Sequence, residues 1–327
     1  MGLAAGPTDA VPESCSPHGR PVLGAAPCEV WGVLNVTPDS FSDGGAFLSF
    51  EAALARGKVL LADGADVLDV GGASSRPPGQ TYGDGAQDVP AEVEAARVRP
   101  VVQALAGELG ARVSIDTVQP EVARGALVAG ARIVNDVSCG GHPELLAVAA
   151  EHGAEYVLMH TRGRGEVQLP NTLYADVVAE VLAELLAAVE RAERYGIARD
   201  RLWIDPGIGF AKTAEQSLVL LAHTAELVAC GLRVLVGPSR KGFIAVAAPL
   251  PSGAKPEPQQ REAGTAAALT VAVLGGARAV RVHDVASGRQ AVRVAEGLRA
   301  AGAVGMRARA AGAVRGAAVA PAGKRAC

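Results

Sequence analysis

The sequence has few aromatic residues, no paired cysteines and no hydrophobic run long enough to cross a membrane. Aromatic side chains make up 3% of its 327 residues, so Ala, Val and Leu must form most of the core. The five cysteines show neither C-x-x-C pairs nor zinc spacing, which favours free thiols over a disulfide framework. The longest uncharged apolar stretch, residues 263–277, is shorter than the ~18 residues of a membrane span. The net charge of -3 argues against a nucleic-acid-binding protein. We therefore predict a cytoplasmic protein that binds neither membrane nor nucleic acid.

Eight short apolar runs follow one another along the chain. They end at residues 33–35, 68–70, 114–116, 133–135, 158–160, 203–205, 235–237 and 281–283. Their hydrophobicity is continuous rather than alternating, which indicates burial on both faces. Such burial is typical of parallel strands, so we predict eight of them.

Helical patterns separate these runs. They cover residues 50–61, 90–109, 121–129, 143–152, 174–195, 214–230, 261–274 and 287–301, and we expect Pro100 to interrupt the second. Most of them stop at a glycine, and a helix that stops at Gly before a buried strand is one βα unit. Eight such units predict a single (β/α)8 TIM barrel of the α/β class. A doubly wound open sheet is the alternative, but no G-x-G-x-x-G follows the first strand.

The barrel is predicted to occupy residues 28–302, between two tails. Residues 1–27 are rich in Ala, Gly and Pro, lack the features of a signal peptide and predict a disordered arm. Residues 303–327 are rich in Ala, carry five basic residues and no acid, and predict a disordered basic tail. Residues 246–260 contain four prolines and predict a long surface loop.

Polar residues stand at the ends of most of these runs. In a TIM barrel the carboxyl ends of the strands build the functional site. The residues are Asn35, Asp69, Asp116, Asn135, His160, Asp205, Ser239 to Lys241, and Arg281 to His283. A single Asp after a strand is usually a turn former or helix cap, but several acids and amides opposite a cationic cluster favour a binding site. The cations follow strands seven and eight, where such barrels usually bind phosphate.

The acids and amides suit a heterocycle better than an anion. Asp116 or Asp205 can accept two parallel N–H bonds from an edge such as a 2-amino-4-oxopyrimidine, and Asn135 can bind neighbouring donors and acceptors. Residues 34–45 are rich in turn formers and predict a mobile loop that carries Asp39 and Phe41. No P-loop, H-E-x-x-H or Ser/His/Asp signature is present. The sequence therefore predicts a heterocycle pocket beside an oxyanion pocket.

Eight motifs in this order make the sequence similar to the dihydropteroate synthase family from about residue 30 to residue 298. They lie at residues 34–45, 69–77, 114–117, 134–136, 157–160, 205–212, 237–241 and 281–284. The resemblance implies a TIM barrel that joins 6-hydroxymethyl-7,8-dihydropterin pyrophosphate to 4-aminobenzoate, giving 7,8-dihydropteroate and pyrophosphate in folate biosynthesis. It also implies small-molecule substrates, Mg²⁺ as a cofactor, a homodimer and a target for sulfonamides.

The resemblance further implies a role for each site residue. The pterin is held by Asp116, Asn135, Asp205 and Lys241, with Met159 lining its pocket. The pyrophosphate is held by Asn35, Arg281 and His283, with Mg²⁺ near Asn35 and the acids of the first loop. The residues that resemble the aminobenzoate end of the family's site are Ser75, Arg76, Phe210, Ser239 and Lys241. Catalysis is implied for Asn35, Lys241, Arg281 and His283, while the loop with Asp39 and Phe41 closes over the substrates.

The second loop departs from the family pattern. It reads Ala73-Ser74-Ser75-Arg76 where many relatives carry Glu-Ser-Thr-Arg. Ser75 keeps a hydroxyl donor but lacks the methyl group that would stiffen the loop. Three alternatives remain open: a catalytically silent pterin-binding relative, a pterin-dependent methyltransferase of similar fold, and a barrel aldolase that uses Lys241 or Lys212 as a Schiff base.

Overall fold

Eight parallel strands pair in chain order, and the last returns to the first, which closes the sheet into a barrel. The computed structural model describes residues 26–36, 48–73, 89–163 and 165–316; the side chains of residues 48–49 and 303–316 are not described. The strands are β1 (Glu29–Asn35), β2 (Val67–Gly71), β3 (Val113–Asp116), β4 (Ile133–Asp136), β5 (Glu155–Met159), β6 (Leu202–Asp205), β7 (Arg233–Val236) and β8 (Ala279–Val282). The predicted TIM barrel is confirmed, and its closure excludes the open sheet.

Helices connect the strands around the outside of the barrel. They are α1 (Leu48–Ala62), α2 (Ala91–Gly107), α3 (Pro120–Val128), α4 (Pro143–Glu151), α5 (Val177–Arg194), α6 (Ala214–Ala222), α7 (Thr224–Val228), α8 (Gly242–Ala247), α9 (Glu262–Leu274) and α10 (Val285–Gly316). Local sequence sets several of their starts: α3 and α4 begin with proline, and the Asp176 carboxylate accepts the first backbone N–H groups of α5. None of the helices within the described ranges is long and apolar enough to span a membrane.

Two helices differ from the sequence prediction within their length. Pro100 does not interrupt α2, because this helix buries Val98, Val101 and Leu105, and that packing offsets the ~3 kcal/mol cost of an internal proline. The single helix predicted over residues 214–230 is instead two, α6 and α7. The buried Thr224 hydroxyl donates to the Leu221 carbonyl at 2.7 Å, and this bond turns the chain between them.

The last helix also differs from the prediction at its end. We expected a stop at Gly302, but α10 continues to Gly316, so the predicted boundary between barrel and tail falls inside this helix. A glycine in a helix costs only about 1 kcal/mol, and the Ala- and Arg-rich sequence that follows has high helix propensity. Residues 1–25 and 317–327 lie outside the described residues, so disorder there stays a prediction.

The interior of the barrel is filled by a small apolar cluster that contains both tryptophans. Its members are Trp31, Val67, Ile133, Val157, Trp203, Leu235 and Ala279. The two indole rings meet edge to face, with centroids 5.3 Å apart and planes at 66°. The indole N–H groups donate to Glu29 and Glu155 at the amino-terminal ends of their strands, at 3.0 and 2.7 Å. This cluster therefore forms an apolar floor beneath the carboxyl ends of the strands.

We predict that Trp31→Ala lowers the free energy of unfolding by about 3–5 kcal/mol, because it opens a cavity in this floor. Urea denaturation measures the loss. Val128→Ala is the matched control, since Val128 is 69% exposed and its truncation should change stability by less than about 0.5 kcal/mol. Equal losses in the two variants would show that the floor does not carry the barrel's stability.

Candidate active site

Four residues at the carboxyl ends of the first four strands lie at one level inside the barrel. Asn35, Gly71, Asp116 and Asn135 are successive register partners across β1, β2, β3 and β4. Register partners on parallel strands face the same side of the sheet, so these positions share the interior of the barrel. Gly71 supplies no side chain, and this leaves space beside the Asn35 amide, whose Oδ1 lies 3.8 Å from where a Cβ on Gly71 would be.

Arg281 on β8 connects this level to Asp69, which lies two residues before Gly71 on β2. Its Nε donates to Asp69 Oδ2 at 2.5 Å, and its Nη2 donates to Asp116 Oδ2 at 2.8 Å. Asn135 Nδ2 donates to the same Asp69 oxygen at 3.0 Å. Asp69 is fully buried, and its Oδ1 has no hydrogen-bond partner among the residues that the structure describes. We therefore regard Asp69 as the residue that fixes both Arg281 and Asn135, a role that we did not predict from the sequence.

Burial changes the acidity of the groups in this cluster. Burial raises the pKa of Asp116 to about 7; Arg281 opposes this shift and the neighbouring Asp69 charge reinforces it. Burial likewise raises the pKa of Asp205, against the attraction of Lys241. Burial disfavours the charge of Arg281, but Asp69 and Asp116 outweigh it and raise the pKa of the guanidinium. The cluster therefore holds a permanent cation beside an acid, Asp116, that can take up a proton near neutral pH.

Lys241, in the loop after β7, contacts the loop after β6. Its ammonium donates to the Ile208 carbonyl and lies 4.5 Å from the centroid of the Phe210 ring. Burial lowers the pKa of Lys241 to about 8, and the attraction of Asp205 opposes this shift. Asp205 Oδ1 accepts the Gly207 N–H at 2.7 Å, which fixes the turn that follows β6. Lys241 thus lies against the Phe210 ring and within electrostatic reach of Asp205.

The cationic segment after β7 divides between the site and the outside of the barrel. Ser239 Oγ accepts the His283 backbone N–H at 3.2 Å and lies 3.1 Å from His283 Nδ1. Arg240, in contrast, pairs with Glu262 on α9 and has φ +60. Ser239 and His283 therefore contact each other at the carboxyl ends of β7 and β8, whereas Arg240 pairs with α9 and does not belong to the cationic cluster that we expected there.

The remaining predicted residues have different outcomes. Met159 is buried at the end of β5, in register with Asp205 at the end of β6. Ser75, Arg76, Asp39 and Phe41 lie outside the described residues, so their roles stay predictions. Among the residues that the structure describes, no group of three or more His, Cys, Asp or Glu side chains could hold a metal. The acids of the first loop, which the resemblance places near Mg²⁺ together with Asn35, lie outside the described residues, so the Mg²⁺ site stays a prediction.

A second buried polar chain lies beside the site and was not predicted. Lys212 Nζ, in a side chain only 1% exposed, lies 2.9 Å from His160 Nδ1 and donates to the Phe210 carbonyl at 2.9 Å. His160 Nε2 lies 2.9 Å from Glu184 Oε2 on α5. The sequence identified His160 only as the end of a strand, and Lys212 only as the last residue of a motif and as one of two lysines that an aldolase could use for a Schiff base.

Comparison with known proteins identifies the class of this site. The sequence profile of the family described as "Pterin binding enzyme" matches residues 31–283, most of the chain. That span runs from β1 to the residue after β8 and contains every polar residue of the level described above. The fold and the site together define a pterin-binding enzyme on a TIM barrel.

Relatives narrow the assignment further. The dihydropteroate synthase of Mycobacterium leprae (strain TN) is 46% identical over 276 residues, which cover 83% of this chain and 94% of the relative. That of Synechocystis sp. is 45% identical over 270 residues, covering 82% and 89%. The Xanthomonas albilineans dihydropteroate synthase in complex with 7,8-dihydropteroate matches with a TM-score of 0.72 at 40% identity, over 84% of this chain and 94% of that one. A second structure of that protein, with 4-aminobenzoic acid, gives a TM-score of 0.75 and 42% identity at the same coverage. The chain belongs to the dihydropteroate synthase family, and it is an enzyme of folate synthesis.

The turn after β6 provides a direct test of how the site is built. Gly207 has φ +65, and a Cβ there would lie 1.9 Å from the His160 carbonyl oxygen. Gly231 has φ +82, but a Cβ there would meet nothing within 4 Å. We predict that Gly231→Ala costs about 1–2 kcal/mol of stability, the price of a left-handed residue. Gly207→Ala should cost about 1–3 kcal/mol more, because the two loops must also move apart. Urea denaturation of both variants checks this difference; equal losses would mean that the loops are not in close contact.

Proposed function

We propose that the carboxyl ends of the strands bind the pterin through Asp116, Asn135, Asp205 and Lys241, and that Asn35, Arg281 and His283 hold the pyrophosphate. The observation that carries this proposal is the arrangement around Arg281, which fixes two carboxylates and, through Asp69, one amide in defined orientations. The Xanthomonas albilineans structures support it, since one holds 7,8-dihydropteroate and another 4-aminobenzoic acid in a related barrel.

The hydrogen bonds within the protein determine which atoms face the pterin. Asn135 uses Nδ2 for Asp69, so its Oδ1 is the atom offered to a ligand. Asp116 uses Oδ2 for Arg281 and Asp205 uses Oδ1 for Gly207, which leaves one oxygen on each. The site therefore presents acceptors from three strands. The 2-amino and ring N–H groups of a 2-amino-4-oxopyrimidine are the donors that match them.

Stabilisation of the leaving group must account for much of the catalysis, because an arylamine is a weak nucleophile. Negative charge develops on the pyrophosphate as the bond from the pterin methylene carbon to oxygen breaks, while the amine nitrogen bonds to that carbon and loses a proton. Arg281 uses Nε and Nη2 for carboxylates, so its Nη1 is available for a phosphate oxygen. Asn35 and His283 are proposed to add further donors to the pyrophosphate. A Mg²⁺ ion held by Asn35 and the diphosphate would neutralise further charge when bound.

The aminobenzoate end of the site is proposed to lie around Phe210, Ser239 and Lys241. The Lys241 ammonium against the Phe210 ring gives an aromatic wall beside a cation, which suits a flat arylamine with a carboxylate. We propose that Ser75 and Arg76 complete this end and that the loop with Asp39 and Phe41 closes over it. A sulfonamide shares the arylamine shape and would compete there. A cytoplasmic homodimer is proposed on the family resemblance.

The central experiment measures pyrophosphate release from the purified protein supplied with the pterin pyrophosphate, Mg²⁺ and 4-aminobenzoate. We expect release that depends on aminobenzoate, is abolished by chelating Mg²⁺ and falls at least about a hundredfold in Lys241→Ala. Lys255→Ala is the matched control, because Lys255 is exposed on the loop after α8. Pterin binding without release in the unsubstituted enzyme would instead identify a catalytically silent relative.

A pH series tests the cluster around Arg281. Because the pKa of Asp116 is raised to about 7, its ionised fraction increases between pH 6 and pH 7.5. We expect the affinity for 6-hydroxymethyl-7,8-dihydropterin, which carries no titrating phosphate, to rise about eightfold over this range. In Asp69→Asn the repulsion from Asp69 is lost and Arg281 lowers the pKa of Asp116, so the change with pH should shrink. Calorimetry measures both; an unaltered pH dependence in the variant would contradict the assigned coupling.

A further inference from the structure

Lys212 is a buried ammonium group to which the proposed reaction gives no task. Its side chain is 1% exposed, yet its surroundings are not those of a Schiff-base lysine in an apolar pocket. The ammonium instead contacts the imidazole of His160 and the carbonyl of Phe210, both at 2.9 Å. Burying an ammonium is costly unless it is fully bonded, so these contacts indicate a specific structural task.

The donor and acceptor chemistry of these groups fixes a single chain of bonds. Glu184, whose pKa is lowered, is a carboxylate that only accepts, so the proton of the neutral His160 ring lies on Nε2 and Nδ1 accepts from Lys212. Burial lowers the pKa of Lys212 to about 7, and both its ammonium and its amine form can make this donation. Burial lowers the pKa of His160 to about 4, which keeps the ring neutral. Nε2 then donates to Glu184 on α5, and Arg162 pairs with the same carboxylate from the outside of the barrel. Lys212 is thereby tied to α5 through His160.

Lys212 also binds the loop that carries Phe210. Lys212 donates to the Phe210 carbonyl, while Lys241 donates to the Ile208 carbonyl two residues earlier. The Ala211 N–H also donates to the Gly165 carbonyl at 2.9 Å, which holds this loop against the one after β5. Ala211 has φ +50, a conformation that a residue with a side chain keeps only when its neighbours enforce it. Two ammonium groups thus fix the backbone on either side of the Phe210 ring.

We propose that Lys212 is a positioning residue that holds Phe210, through its carbonyl, in the orientation that the aminobenzoate half of the site requires, and that His160 orients Lys212. This inference rests on the function proposed above, in which Phe210 lines the aminobenzoate end. It predicts that loss of Lys212 acts on one substrate. Among the groups proposed to hold the pterin, Asp116, Asn135 and Asp205 make no hydrogen bond to Lys212 in the described residues. Lys212 acts on Asp205 through its charge, which opposes the rise in the pKa of Asp205 that burial causes.

The first test is Lys212→Met, which keeps the length of the side chain and removes the donors. We expect the KM for 4-aminobenzoate to rise at least about tenfold, as for loss of a hydrogen bond made by a charged group. The affinity for 6-hydroxymethyl-7,8-dihydropterin, measured by calorimetry, should change less than about twofold. Equal losses for the two ligands would assign Lys212 to general stability and overturn the inference.

A pair of His160 variants tests the chain even if Lys212→Met fails to fold. His160→Asn places an amide oxygen near the position of Nδ1 and can still accept from Lys212, whereas His160→Gln places its polar atoms near Nε2 and cannot. We expect His160→Asn to keep the KM for 4-aminobenzoate within about threefold and His160→Gln to raise it at least about tenfold. Equal KM values in the pair would overturn the inference, whereas absence of aminobenzoate-dependent release from the unsubstituted enzyme would overturn the proposed function instead.

Discussion

One guanidinium group holds the functional end of this barrel together. Arg281 lies on the last strand, and its two carboxylate partners lie on the second and third, so its bonds cross the place where the sheet closes. A permanent cation and two acids can be buried here only as a set, because each alone would carry an uncompensated charge. Asn135 depends on one of these acids for its orientation. The proposed pterin end of the site is therefore built on the closure of the barrel itself.

The strands and their order could be predicted because each of them is buried on both faces. An apolar run with no alternation leaves little ambiguity about a parallel strand, and a polar residue at its end marks the rim of the barrel. Asn35, Asp116, Asn135 and Asp205 could be proposed as site residues for this reason. Their positions along the strands are enough to bring them to one end, whatever side-chain contacts they make.

The contacts among side chains were not accessible in the same way. Asp69 has the same sequence setting as Asp116, a strand end, and only the bonds to Arg281 and Asn135 distinguish its task. Arg240 and Lys241 are adjacent in sequence, yet the left-handed backbone at Arg240 sends one outward and leaves the other beside Phe210. The length of α10 was also missed, because a glycine weakens a helix without ending it.

The apolar floor has an optical consequence. It contains the only two tryptophans of the chain, so the ultraviolet emission of the folded protein originates from one place inside the barrel. Their edge-to-face contact at 5.3 Å makes the two indoles a coupled pair rather than independent chromophores. The polar end of the barrel lies directly above them, and pterins absorb in the range where indoles emit. The fold thus places a fluorescence donor permanently beneath the position proposed for a natural acceptor.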